Sequence, residues 1–210
     1  MGWALYQEAR LDTIAEHDMM TAMSDPPKSV ASRREPSPRR VMAEGKFARL
    51  VAQDGWEWVE RTNSLAAAVI VAVTKDRKLL LVEQYRIPFA GRVIELPAGL
   101  AGDVAGSEDE PIAEAARREL LEETGYQAAQ IEYLTEGPST AGLANETYTL
   151  FLASGAEKVA PGGGAEGEDI LVHAIPLAEV PAWLQSRRQQ GLYVDPRVYA
   201  GLYFALRSSP

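Results

Sequence analysis

Residues 65–73, Leu-Ala-Ala-Ala-Val-Ile-Val-Ala-Val, are apolar without interruption, and this run constrains the fold more than any other stretch. A strand with one wet face alternates apolar and polar side chains, whereas an unbroken run between turn residues belongs to a strand covered on both faces. It falls far short of the roughly 20 residues a membrane-spanning helix requires. A strand covered twice needs a further layer on each side, so the run predicts a layered domain.

The surrounding punctuation supplies the other elements. Residues 47–51 and 56–61 flank Asp54-Gly55, the dipeptide of a tight primed hairpin. Residues 78–84 follow the apolar run as the second arm of another hairpin, and 93–96 form a short strand ended by Pro97-Ala98-Gly99. A helix is expected from Glu110 or Pro111 to Thr124, with Ile112, Ala115, Ala116, Leu120 and Leu121 as its apolar side. Ser107 and Glu110 have capping-box spacing, and Gly125 sits where a C-terminal cap belongs. Strands are expected at 131–135, 147–153 and 170–175, then helices at 177–190 and 196–206. Hairpin strands mixed with one central and two terminal helices give an α/β (α+β) domain on a mixed sheet.

Composition removes several chemistries. The 210 residues accommodate one domain with an appendage rather than two full domains. The chain has no cysteine, which excludes disulfides, thiolate nucleophiles and cysteine-ligated zinc or iron–sulfur centres. Its two histidines, His17 and His173, exclude a multi-histidine site within one chain. Metal chemistry must therefore use oxygen ligands, which suit Mg2+, Mn2+ or Ca2+. A net charge of −9 argues against long nucleic acids as partners. Residues 1–40 hold six basic and six acidic side chains, so the negative charge belongs to the rest. The irregular, proline-punctuated segment 1–42 reads as a flexible tail without the apolar core of a secretory signal, and a cytoplasmic location is expected.

The densest feature is Arg118-Glu119-Leu120-Leu121-Glu122-Glu123-Thr124-Gly125-Tyr126. On a helix Glu119, Glu122 and Glu123 stand at i, i+3 and i+4, placing three carboxylates on one face within about 6 Å of one another. Unpaired anions so placed repel, and a hard divalent cation bridging them removes that cost. A solvated acidic helix face is the alternative this segment alone leaves open.

Glu110, seven further residues, and then Arg118 to Tyr126 resemble the motif of the Nudix hydrolases, a glutamate followed by Arg-Glu-apolar-x-Glu-Glu-x-Gly-apolar. The glycine that opens the motif should stand at position 104, which is Val104. Either Gly99 takes that place with a five-residue insertion, or Gly102 pairs with Glu108 as the first motif glutamate. Glu95-Leu96-Pro97-Ala98-Gly99-Leu100 is similar to the entry of the ADP-ribose pyrophosphatase branch and favours Gly99. The resemblance to that branch runs from about Phe47 to Leu206.

The resemblance implies a Nudix-type α/β/α sandwich spanning 65–210, preceded by an N-terminal antiparallel hairpin at 43–64 that serves dimerisation and substrate. It implies hydrolysis, with Mg2+ or Mn2+ as cofactor, of a nucleoside diphosphate linked to another moiety, with ADP-ribose giving AMP and ribose 5-phosphate foremost. Another nucleotide sugar, or a non-catalytic ADP-ribose-binding regulator, remains the alternative. Glu119 and Glu123, with the main-chain carbonyl of Ala98 and with Glu168, would hold metal. Glu122 is a third carboxylate, and Arg118 would orient the group. Glu166, in the glycine-rich segment 162–170, would take the proton from water. Arg61, Arg86 and Gly99 fall at substrate-contacting positions, and Trp56 at that of an aromatic stacking on adenine across a homodimer. Pro138, 13 residues after Gly125, sits slightly short of the spacing that marks ADP-ribose enzymes.

Overall fold

The computed structural model describes residues 36–63, 66–102, 106, 109–164 and 168–208. Segment 1–35, with His17, and Ser107, Glu108 and Glu166 lie outside the described residues. Strands β1 (Arg40–Glu44), β2 (Ala48–Gln53) and β3 (Trp56–Arg61) form an antiparallel sheet in that order. The expected β2–β3 turn is present, with φ of 50° at Asp54 and 83° at Gly55, the left-handed values a primed turn demands. Strand β1 falls at the end of the segment read as a tail. All five of its residues are exposed, so no alternation of apolar and polar positions announced it.

The long apolar run becomes β4 (Ala66–Thr74), buried from Ala68 onward. It is followed by β5 (Lys78–Arg86), a 3-10 turn at Ile87–Phe89, β6 (Gly91–Glu95) and β7 (Ala98–Leu100). Helix α1 (Ile112–Thr124) leads to β8 (Tyr126–Gln127), β9 (Gln130–Pro138), β10 (Thr147–Lys158) and β11 (Ile170–Pro176). Helix α2 (Val180–Gln189), β12 (Tyr193–Val194) and α3 (Pro196–Arg207) complete the described chain.

Strands β4 to β12 make one mixed sheet. β4 runs parallel to β10 and antiparallel to β7, and β10 pairs antiparallel with β9. The second expected hairpin shrinks to the single pair Val73↔Leu79, because β5 gives its hydrogen-bonding edges to β11 and β6 instead.

Alternation along β4 separates two cores. Val69, Val71 and Val73 pack with Leu79, Leu81 and Ile94 beneath Val180 and Leu184 of α2 and Val198, Leu202 and Ala205 of α3. Ala68, Ile70 and Ala72 pack with Leu80, Phe151 and Ala153 beneath Ala115, Ala116 and Leu120 of α1. Helices therefore cover both faces, as the unbroken run required. The small residues facing each other across the second core let α1 approach the sheet closely.

The start of α1 departs from expectation. Its N-cap is Pro111, in extended geometry and without a side-chain cap, so the Glu110 carboxylate does not close a capping box. That carboxylate is engaged by Arg118 instead. At the other end Gly125, with φ of 75°, donates its N–H to the Leu121 carbonyl as the expected cap. A Cβ there would also come within 2.1 Å of the Ala160 carbonyl oxygen.

Candidate active site

Among the described residues four glutamates are buried: Glu60, Glu83, Glu95 and Glu123. A buried carboxylate is costly unless donors or cations compensate it. Glu60 accepts from Trp58 Nε1 and Arg49 Nε, each at 2.9 Å, and from Arg39. Burial alone would raise its pKa, but these donors outweigh burial and hold it below the ordinary carboxylate range. Glu83 accepts from Arg92 Nε at 2.6 Å and lies 2.9 Å from His173 Nε2. Glu95 accepts from Arg86 Nε at 2.8 Å, with Arg197 4.0 Å from its other oxygen.

Glu123 is the exception. It accepts one backbone N–H, from Ala98 at 3.0 Å, and no guanidinium or ammonium of the described residues pairs with it. Burial, reinforced by the charges of Glu119 and Glu168 and only partly offset by the Ala98 hydrogen bond and the nearby charge of Arg86, pushes its pKa up to about 8.

The crowding follows from how β7 meets α1. Gly99 pairs with Ala68 of β4, and a Cβ on it would come within 1.9 Å of the Glu119 carboxyl carbon. Only glycine lets that carboxylate lie against the strand. Arg118 then ties the approach together. Its Nε and Nη2 donate to Glu110 at 3.2 and 3.1 Å, its Nη1 to Glu119 at 2.7 Å and Glu122 at 3.3 Å, and its Nη2 to the Leu100 carbonyl at 3.1 Å. Hydrogen bonding to Arg118 lowers the Glu110 pKa, and the same pairing raises that of Arg118.

Glu119, Glu122, Glu123 and Glu168 line one cavity of ≈540 Å3, together with Ala98, Gly99, Arg118, Arg61 and Arg86. Trp56 is not among these groups. It is 65% exposed and lines a cavity of ≈380 Å3 with Trp58 and the 141–145 loop. Among the described residues no three acidic or imidazole groups already stand together as a metal-ligand cluster, and Arg118 holds Glu119 and Glu122. The residues nonetheless fit a hard divalent cation: the donors are all oxygens, Gly99 clears room for one of them, and Glu123 is buried among like charges without a cation of its own.

Three cavity residues escaped the sequence reading as functional candidates. Glu146 pairs with Arg61, Glu95 with Arg86, and Arg197 lies beside Glu95. Asp195-Pro196-Arg197 does carry a helix-start signal, an acidic N-cap before a proline. Nothing in the sequence directs that helix start toward the cavity.

A family model described as the NUDIX domain matches residues 63–193. The methanol dehydrogenase activator of Bacillus methanolicus is 34% identical over 143 residues, covering 68% of this chain and 74% of that protein. An ADP-ribose pyrophosphatase of Mycobacterium tuberculosis is 36% identical over 121 residues, covering 57% of this chain and 56% of that protein, so the match spans about half of its length. Among solved structures, a crystal structure of an ADP compounds hydrolase superposes with a TM-score of 0.61 at 21% identity, covering 84% of this chain and 94% of that one, a likeness of fold.

Proposed function

The chain belongs to the Nudix hydrolase family, and on that premise we propose that it cleaves, with Mg2+, the diphosphate of a nucleoside diphosphate linked to another moiety, ADP-ribose foremost, to AMP and ribose 5-phosphate. The observation that carries this reading is one cavity in which Glu119, Glu122, Glu168 and Glu123, the last buried without an ion-pair partner, meet Arg61 and Arg86. An anionic diphosphate repels an attacking water and leaves poorly. Mg2+ supplies neutralising charge at the diphosphate oxygens and lowers the pKa of water.

Glu119, Glu123 and Glu168, with the main-chain carbonyl of Ala98, would hold the ion, and Glu122 would be the further carboxylate beside them. Arg118 presents Glu119 and Glu122 by charge-assisted hydrogen bonds and is itself fixed by Glu110. Arg61 and Arg86 would hold the substrate anion from the protein side, and Glu166 would accept the proton of the attacking water. Trp56, exposed on the N-terminal sheet, would complete adenine binding in a homodimer, where a second copy covers it. A cytoplasmic location accords with a nucleotide substrate.

The second reading is a non-catalytic nucleotide-binding regulator, which the similarity to a protein named for activating a dehydrogenase keeps in view. The retained carboxylates favour the enzyme. The test is incubation with ADP-ribose, ADP-glucose, GDP-mannose, NADH and diadenosine polyphosphates in Mg2+, following release of the nucleoside monophosphate, beside a Glu123→Gln control. Cleavage led by ADP-ribose and lost in the variant is expected. Tight binding of one compound without cleavage of any would overturn the enzyme reading.

A further inference from the structure

The carboxylate cavity does not end at its arginines. Arg86, Glu95, Glu146 and Arg197 also line a second cavity of ≈540 Å3, so the two spaces share one set of charged residues. On the far side of that set the chemistry changes. Phe89 and Tyr193 place their rings 5.5 Å apart, and both remain more than half exposed. Gly91 lies against this wall, where a Cβ would stand 3.3 Å from the Tyr193 ring. Ser139 and Thr140 add hydroxyls from the loop after β9.

Arg197 is held in place with unusual care for a surface arginine. Asp195, the N-cap of α3, accepts the Arg197 backbone N–H at 2.7 Å and its Nε at 3.0 Å, and pairs with Nη2 as well. The guanidinium lies 5.6 Å from the Tyr148 ring centroid and 4.0 Å from Glu95. These contacts fix Arg197 between the two cavities with Glu95 beside it, while Arg86, held by Glu95, and Glu146, held by Arg61, line the same boundary.

This inference rests on the diphosphate hydrolase reading and extends it. We propose that the second cavity is the subsite for the uncharged sugar that the diphosphate carries, and that Arg197, fixed by Asp195, is the residue that reads it. Carboxylates accept from sugar hydroxyls, a fixed guanidinium donates to them, and aromatic faces cover the apolar side of a sugar ring.

The test uses the full chain with Mg2+ and compares the wild type with Tyr193→Ala, a half-exposed position whose truncation spares the core, and with Arg197→Lys, which keeps the charge but loses the planar fork. Each protein is assayed for kcat/KM on ADP-ribose, ADP-glucose and GDP-glucose, with melting temperature as a control for folding. The expected result is a change of about tenfold or more in the ADP-ribose to ADP-glucose ratio, with the ADP-glucose to GDP-glucose ratio unchanged. A shift in the base-dependent ratio alone, or equal effects on all three substrates, would overturn the proposal. If the wild type cleaves none of them, the hydrolase reading fails, and the same ratios measured as dissociation constants still decide the subsite.

Discussion

Glu60 on the N-terminal sheet and Glu123 at the end of α1 are the same residue, exposed to 6% and 7%, and electrostatically they are opposites. Glu60 gathers an indole and two arginines, and its pKa falls despite burial. Glu123 gathers one backbone N–H and two like charges, with only the nearby charge of Arg86 against them, and its pKa rises to about 8. Burial therefore does not tell a structural clamp from a reactive site; the partners do. Glu83 and Glu95 are each paired with an arginine as Glu60 is, which leaves Glu123 as the position where the fold tolerates a cost that a bound cation removes.

The contrast can be broken most forcefully at Glu123. Glu123→Gln is expected to lower hydrolysis by about a hundredfold or more, beyond the range seen when only outer-sphere partners of a metal are removed. The same variant should match or exceed the wild type in melting temperature without metal, since a neutral amide replaces a carboxyl whose charged form burial already disfavours. A marked loss of stability would place Glu123 with Glu60. Next comes Gly99→Ala, whose methyl displaces the Glu119 carboxylate. Steady-state kinetics should show a loss of roughly ten- to a hundredfold, the scale of a misplaced reacting group.

Glu60→Gln sharpens the other side. It removes a satisfied carboxylate from Trp58, Arg49 and Arg39, and denaturant unfolding should register a loss of about 1–3 kcal/mol. The pH dependence of stability sharpens the contrast further. The folded-state pKa of Glu123, about 8, lies above the 4.5 of an ordinary glutamate. Between these limits the folded protein binds a proton that the unfolded chain has lost, so this group's contribution to stability declines as pH rises from 4.5 toward 8 and levels off above. Melting temperatures without metal should follow that slope in the wild type and flatten in Glu123→Gln. Added Mg2+ should stabilise the wild type more at pH 8 than at pH 6.

The layered fold was legible because its causes are local. An unbroken apolar run, an Asp-Gly turn and a glycine-capped helix each announce themselves within a few residues, and strands at 56–61 and 147–153 and the helix at 112–124 appear close to where they were expected. Strand β1, with five exposed residues, and β12, only two residues long, carry too little pattern to be read. The candidate site divides along the same line. Glu119, Glu122 and Glu123 could be seen to share a helix face, and their cavity also holds Arg61, Arg86 and Glu168. That Glu110 serves Arg118 rather than a cap depends on how the loop before α1 folds back, which spacing does not encode. Glu146 and Arg197 reach the cavity from β10's entry loop and α3, 85 residues from Arg61 and 102 from Glu95 along the chain, where only the tertiary fold makes them neighbours.

The account turns on a protonated Glu123 awaiting a cation. Calorimetric titration of Mg2+ into the substrate-free protein at pH 7, repeated in two buffers of different ionisation enthalpy, reads the protons released on binding. The account predicts release approaching one proton per protein in the wild type, shrinking at pH 9 and absent in Glu123→Gln. Tight Mg2+ binding without proton release, or undiminished binding and release in the variant, would contradict it.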